Sequence, residues 1–214
     1  MPILIAGLVA AAILLLLPRF LGRRQQRMLE QYHVLEKRFG LSLRVSQSRW
    51  GKGIGEHHSL HGESRGYPLS LYSHFVKKEK DKLEWTSLVF EALFAESVEF
   101  CIEFKGTDDL ARFEISEACG SQMEGEGFVI SASEDLSKIW RDESVAKRFP
   151  FLARQPSSGA IRLSKGFLEY RETGMMEFEE QRLRFQEAIL FLASICDALS
   201  LYMSERKVAR SAEL

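Results

Sequence analysis

FQEAILFLASICDALSLYM, residues 185–203, decides the fold, because its apolar residues recur at the spacing of one helix face. Steps of four and three carry this stripe through about five turns, which predicts a helix from Glu177 to Glu205 about 43 Å long. We expect the helix to cover the apolar face of a sheet, because no other helix predicted in the domain is long enough to do so. A coiled coil or a partner-binding helix is the alternative. The stripe comprises Phe185, Ile189, Leu192, Cys196, Leu199 and Met203.

The clearest strand pattern is SVEFCIEFK, residues 97–105, in which apolar and polar residues alternate. Such alternation is typical of an antiparallel strand with one buried face. The face predicted to be buried carries Val98, Phe100, Ile102 and Phe104, and the opposite face carries Ser97, Glu99, Cys101, Glu103 and Lys105.

Further strand-like runs lie on both sides of this segment. The links between them are too short for parallel crossovers, which need a dozen residues or more, so we expect antiparallel neighbours. The chain is therefore predicted to be α+β, with an antiparallel sheet of about six or seven strands under the long C-terminal helix. The other predicted strands are 69–75, 83–94, 112–118, 127–132 and a hairpin that turns at Lys165-Gly166.

Two other segments have their own predictions. CGSQMEGEG, residues 119–127, is polar and is predicted to connect two strands. Residues 134–148 are predicted to form one helix, with Ser133 as its N-cap and acidic residues in its first turn.

The N-terminus carries an apolar run of fifteen residues, Ile3 to Leu17, without a charge. A helix from Pro2 to Leu21 would be about 30 Å long, which matches the hydrocarbon core of a bilayer. A cleaved export signal fits less well, because no basic residue precedes the run and no small-x-small site follows it. We therefore predict a transmembrane anchor formed by Ile3, Leu4, Ile5, Leu8, Val9, Ile13, Leu14, Leu15, Leu16 and Leu17.

Arginines follow the apolar run and none precedes it. The positive-inside rule then places the C-terminal side in the cytoplasm, at the inner or plasma membrane in a bacterium. The predicted membrane-interface residues are Arg19, Arg23, Arg24 and Arg27.

These patterns divide the chain into four parts. We predict a transmembrane signal-anchor helix over 1–22, a juxtamembrane helical stem over 23–40, a cytoplasmic α+β domain over 41–206 and a flexible tail over 207–214. The stem has an apolar stripe that includes Met28, Leu29, Tyr32, Leu35 and Phe39, and Gly40 provides its stop.

Charge and cysteine content exclude some classes of function. The net charge is −1, and the part after residue 27 is mildly acidic, which gives no electrostatic reason to bind nucleic acid. Three widely spaced cysteines do not form a disulfide framework or a C-x-x-C site. No cofactor is predicted.

EHHSLHG, residues 56–62, is the candidate metal site, through His57, His58 and His61. On a strand, His57 and His61 would stand about 13 Å apart, and His58 would face the other way, so a metal site is not favoured. The neighbouring GKGIG, residues 51–55, lacks the spacing of a phosphate-binding loop.

No recognisable catalytic motif occurs in the sequence, so we predict a non-enzymatic binding or assembly module tethered to the bilayer and partnered by another protein. One alternative is a membrane-associated enzyme, such as a metal-dependent hydrolase, that uses the Gly/His-rich segment 51–62 with Glu63 or Cys119. Another is a structural homodimer, formed through the last helix or through Gly7 and Ala11 in the anchor.

Overall fold

The structure is a computed structural model, and its architecture is an antiparallel sheet with helices on one face. All the strand pairs that it describes are antiparallel, as the sequence predicts. The residues described are 22–47, 56–78, 81–104, 121–125, 128–149 and 159–212.

Nine strands lie within these ranges, in the order β1-β2-β3-β4-β9-β8-β5-β7-β6. This exceeds the predicted six or seven, because β1, β2 and β6 lack a strong apolar alternation. The strands are β1 Ser42–Gln47, β2 Glu56–Ser64, β3 Tyr67–Lys78, β4 Asp81–Glu91, β5 Phe100–Phe104, β6 Ser121–Gly125, β7 Phe128–Ala132, β8 Ala160–Ser164 and β9 Phe167–Thr173.

Two longer helices and several short ones accompany the sheet. The helix α1 covers 22–39. The short ones are a 3-10 helix Leu93–Ala95, α2 Ser137–Arg141 and α3 Glu143–Ala146, and the long C-terminal helix is α4 Glu179–Ala212.

The long helix α4 confirms the prediction that began from residues 185–203. Five residues of the predicted stripe, from Phe185 to Leu199, are fully or almost fully buried in the same core as the sheet. Met203 packs at the edge of that core. The helix ends at Ala212 and not at Glu205, so it continues through most of the segment 207–214 that was predicted to be a flexible tail.

By length and composition, Glu179–Ala209 within α4 could cross a membrane. More than half of its most apolar stretch is buried within the domain. A helix that covers a sheet needs the same length and apolar content, so this property follows from its place in the core.

The helix α1 is also part of the domain core. The predicted division at residue 40 had separated this helix, as a stem, from the domain. Met28, Tyr32 and Leu35 are buried in the cluster that contains the sheet and α4. The helix stops at Gly40, whose φ of 65° is easily adopted by glycine, as the sequence predicts. The residues of the predicted stem are therefore an internal element of the domain.

Two predictions about local structure were wrong. Residues 121–125 form the strand β6 within the segment predicted to be a connection, and three of its residues, Gln122, Met123 and Glu124, are exposed. An edge strand of this kind is stabilised by backbone pairing with β7, so its sequence shows no buried face.

The helix predicted over 134–148 is divided into α2 and α3. Asp142 has an extended backbone, and its carboxylate accepts a hydrogen bond from the Ser144 amide at 2.9 Å, so it caps α3 and ends the preceding turn. Ser133 is not an N-cap, because its hydroxyl bonds the Glu99 backbone and ties β7 to β5.

The predicted transmembrane segment 1–22, apart from Gly22, lies outside the described residues, and so does the predicted strand 112–118. Both stay predictions.

Both long helices start at the same end of the sheet. Arg24 meets Glu84 near the start of β4, whereas Leu41, just after α1, packs on Gly62 farther along the sheet. Likewise Arg184, in the second turn of α4, meets Glu172 late in β9, and Asp197 meets Arg65 in the β2–β3 turn. We call the end where α1 and α4 begin the anchor end, and the end with the β2–β3 and β8–β9 turns the distal end.

Candidate functional site

The three histidines of the candidate metal site lie on β2 and do not converge. His58 is buried and shares the helix-covered face with Leu60. His61 is on the opposite face, where one of its ring nitrogens lies 2.9 Å from the Ser59 hydroxyl. His57 and His61 pair with different residues of β1, four positions apart. No group of three His, Cys, Asp or Glu residues in the described ranges could hold a metal ion.

Burial lowers the pKa of His61, and the nearby Arg44 acts in the same direction. This histidine is therefore largely neutral at pH 7. The other residues of the proposed enzyme site, GKGIG and Cys119, lie outside the described part of the chain, and Glu63 is an exposed residue of β2. The enzyme alternative stays a prediction.

The predicted interface arginines have different environments. Arg19 and the anchor residues from Ile3 to Leu17 lie outside the described ranges, and Arg23 is exposed. Arg24 instead bonds to two carboxylates of the domain. Its Nη1 donates to Glu84 at 2.9 Å, its Nη2 pairs with the same carboxylate, and its Nε pairs with Glu177.

The hydrogen bond that Arg24 donates to Glu84 is the largest of the effects that raise the pKa of Arg24, while the partial burial of Arg24 acts against them. Glu177 also lies 3.6 Å from a guanidinium nitrogen of Arg27. One carboxylate thus contacts two arginines of α1, which holds the start of the helix against β4 and against the loop before α4.

Phe178 follows Glu177 and is 53% exposed. The Arg27 guanidinium carbon lies 5.6 Å from the centre of its ring, within the range of a cation–π contact. The predicted interface residue Arg27 therefore lies beside an exposed aromatic ring, which belongs to no periodic pattern in the sequence.

About two turns after Arg24, a chain of hydroxyl groups joins α1 to the sheet. The Tyr32 hydroxyl lies 3.1 Å from Ser73 Oγ, which lies 2.9 Å from Thr86 Oγ1, and Thr86 donates to the Gly174 carbonyl at 2.8 Å. Burial raises the pKa of Tyr32 to about 12. Arg182 of α4 also donates to Gln31 of α1 at 3.0 Å, so α1 is bonded to both the sheet and α4.

The distal end carries a patch of apolar side chains, which we call the distal patch and define as the exposed Leu93, Phe94 and Leu201 with the half-buried Tyr67. Leu201 and Leu93 are 59% and 58% exposed. The patch is assembled from three parts of the chain: the start of β3, the 3-10 helix next to β9, and α4.

Close contacts hold these parts together. The Ala92 amide donates to the Gly166 carbonyl at 2.7 Å, which places the 3-10 helix against the β8–β9 turn. The rings of Tyr67 and Phe94 are 5.9 Å apart. Burial, together with Asp197, raises the pKa of Tyr67 to about 12, so this residue stays neutral and acts as a donor.

The sheet face opposite the helices carries a cluster of aromatic and charged residues. Arg171 lies over the Trp85 ring, 4.2 Å from its centre, and His74 packs edge-on against the same ring. In the described structure, His74 Nδ1 and Trp85 Nε1 are buried and have no hydrogen-bond partner. Because neighbouring side chains cover both atoms, the cluster packs internally and does not present them to a ligand.

Comparisons with known proteins yield one structural likeness. No family model matches the chain, and no curated protein matches it. The crystal structure of the mycobacterial trehalose monomycolate transport factor A is similar, with a TM-score of 0.48 and 13% identity, over 83% of this chain and 94% of that chain. A likeness at this level transfers no function to this chain.

Proposed function

We propose that this protein is a membrane-tethered binding module, anchored through residues 1–22, whose distal patch docks a partner protein in the cytoplasm. The observation that carries the proposal is the distal patch, because contiguous apolar side chains that stay exposed in a folded domain mark a contact surface. The orientation and the cytoplasmic location rest on the arginines that follow the apolar run.

The location of the patch supports a protein partner and not the bilayer. The chain enters the domain at the anchor end, where the described part of α1 begins at Gly22. Leu201 lies 22 residues along α4 from Glu179, which at 1.5 Å per residue is about 33 Å from the anchor end. The patch thus faces away from the predicted membrane.

The surroundings of the patch indicate the chemistry of the partner. Glu91 and Glu96 are exposed on either side of the 3-10 helix, and Asp197 lies next to Tyr67, paired with Arg65. An apolar segment with basic flanks would match this surface, since apolar contacts supply most of the affinity and flanking charges orient the approach.

The tether is tested by membrane fractionation. The full chain should remain in the membrane pellet after alkaline carbonate extraction, and a chain of residues 22–214 should be recovered soluble and folded. Recovery of the full chain in the soluble fraction would contradict the tether.

The docking surface is tested with a photo-reactive amino acid at Leu201 in cells, and with the same probe at Lys147 as a control on another exposed surface. We expect a discrete cross-linked species from position 201 alone, reduced about tenfold by Leu93→Asp. A species of twice the mass would assign the surface to a second copy of this chain. A cross-link unaffected by Leu93→Asp would reject the patch.

A further inference from the structure

We propose that the anchor end binds a phospholipid headgroup: Arg23 and Arg27 hold its phosphate, and Phe178 enters the interfacial layer beside it. This inference rests on the proposed function, since it needs the anchor to keep the domain at the bilayer.

An open cleft of about 380 Å³ lies along α1 at this end. Within the described residues, Arg23, Gln26, Arg27 and Glu30 line it. Positions separated by three and four residues share one face of a helix, so the two arginines are neighbours on the wall of the cleft. The cleft opens at the surface, and its described wall is this one face of α1.

The charges in the cleft favour a phosphate at the end nearer the membrane. Arg23 is exposed, and about half of the Arg27 side chain is exposed. Arg23 can donate a pair of hydrogen bonds to phosphate oxygens, and Arg27, which also lies 3.6 Å from Glu177, supplies a further donor one turn along. Glu30 accepts a hydrogen bond from Gln26 at 3.3 Å and repels an anion from the opposite end of the cleft, so the phosphate is directed towards Arg23.

Phe178 supplies an apolar contact next to this site. Its ring lies under Arg27, and its loop is held in place because the Glu177 and Phe178 amides both donate to Gln181 Oε1, at 3.0 and 3.4 Å. Exposed aromatic side chains beside arginine are favourable at the headgroup level of a bilayer.

The distance to the membrane permits the contact. On the helix predicted for residues 2–21, continued into α1, Arg23 would lie about 9 Å and Arg27 about 15 Å beyond the apolar run. The headgroup layer is about 5–8 Å thick on each side of the hydrocarbon. Side chains on a helix lean towards its N-terminus, here towards the membrane, and a long arginine can span the remaining distance.

The experiment uses the full chain in phosphatidylcholine nanodiscs, with the change Cys119→Ser and a polarity-sensitive dye on Phe178→Cys. Phe167→Cys, at the distal end, is the matched control, because it too replaces an exposed phenylalanine. Cys101 and Cys196 are buried, and burial raises the pKa of Cys196 to about 12, so both react slowly. Lipid carrying a spin label near the headgroup should quench the fluorescence of the dye at position 178. The fluorescence of the dye at position 167 should not change.

The role of the arginines is tested in the same nanodiscs. Arg23→Gln should lower the ratio of quenched to unquenched dye at 178 by about two- to fivefold, as expected for the loss of one exposed ion pair, and Arg27→Gln should do the same. Arg38→Gln, at the other end of α1, should leave the ratio unchanged. Equal quenching at 178 and 167, or the same result for Arg23→Gln and Arg38→Gln, would overturn the headgroup site.

Failure of this inference is distinguishable from failure of the tether. A chain that copurifies with nanodiscs while the dye at 178 stays unquenched has an anchor but no headgroup site. A chain that elutes apart from the nanodiscs has neither.

Discussion

The two ends of the domain differ in whether their prominent side chains have partners within the chain. At the anchor end, Arg24 of α1 is bonded to Glu84 and Glu177 of the same chain. At the distal end, large apolar side chains such as Leu93 and Leu201 remain more than half exposed. The first end contains groups that fasten the chain to itself, and the second presents a surface that nothing in the described structure covers.

This difference shows that α1 is structural and that the distal patch is a candidate for recognition. Buried apolar residues, the ion pair of Arg24 with Glu84 and the hydrogen bond from Arg182 to Gln31 join α1 to the sheet and to α4, so the domain has no flexible linker between Gly22 and the core. Under the proposed function, this rigid attachment of α1 would fix the orientation of the domain relative to the anchor and direct the distal patch away from the membrane.

The largest effect is expected at Tyr32, which joins α1 to the core. Tyr32→Ala removes a fully buried ring and its hydroxyl contact with Ser73, so it should lower the free energy of unfolding by about 3–5 kcal/mol. Urea unfolding of the full chain in detergent measures the change. Val34→Ala, on the exposed side of the same helix, should stay within about 0.5 kcal/mol. Similar losses for both variants would mean that α1 is not a core element.

The next effect concerns two glycines in equivalent hairpin turns. Gly166 has φ of 76°, and a Cβ there would lie 2.9 Å from Leu93 Cα, whereas Gly66 has φ of 82° and open space around it. Gly66→Ala should cost about 1–2 kcal/mol for the backbone conformation alone. Gly166→Ala should cost about 1–3 kcal/mol more, because it displaces the 3-10 helix. Equal thermal stability of the two variants would show that the distal end is loosely packed.

A smaller effect is expected for Arg24→Ala at the anchor end. The ion pairs of Arg24 are partly exposed, so their loss should cost about 1 kcal/mol at low salt and less at high salt, where charges are screened. Unfolding at two ionic strengths tests this. Lys147→Ala breaks the exposed pair with Glu143 and serves as the control, expected within about 0.5 kcal/mol. A salt-independent loss at Arg24 would mean that its packing matters more than its charge.

The smallest effect on stability is expected at the distal patch. Leu201→Ser should change the free energy of unfolding by no more than about 0.5 kcal/mol, since its side chain is mostly exposed. The same change should reduce binding of a hydrophobic dye to the folded protein. A large loss of stability would show that Leu201 belongs to the core and not to a docking surface.

The sequence could predict those features of the fold that depend on a local pattern of residues. The stripe from Phe185 to Leu199, the apolar face of β5 and the turn at Lys165-Gly166 are each specified by a few neighbouring residues, and each was confirmed. The opposite face of β5 was predicted incorrectly at Cys101, which is buried. The exposed edge strand β6 has no buried face, so its sequence has no apolar alternation from which the strand could be predicted.

The candidate sites depend on contacts between distant parts of the chain. Arg24 bonds Glu84 and Glu177 because of the sheet register and the loop before α4, and nothing near Arg24 in sequence indicates this. The distal patch likewise joins residues from β3, the 3-10 helix and α4. Within β2, by contrast, alternation alone was enough to separate His58 from His61.

Amide hydrogen exchange on the full chain tests most directly whether α1 is part of the core. We predict that amides of Met28–Leu35 open with the same free energy as those of Phe185–Cys196, to within about 1 kcal/mol, because both helices unfold together. Exchange in α1 through an opening several kcal/mol less costly, with α4 still protected, would contradict the claim that α1 is a core element that orients the domain.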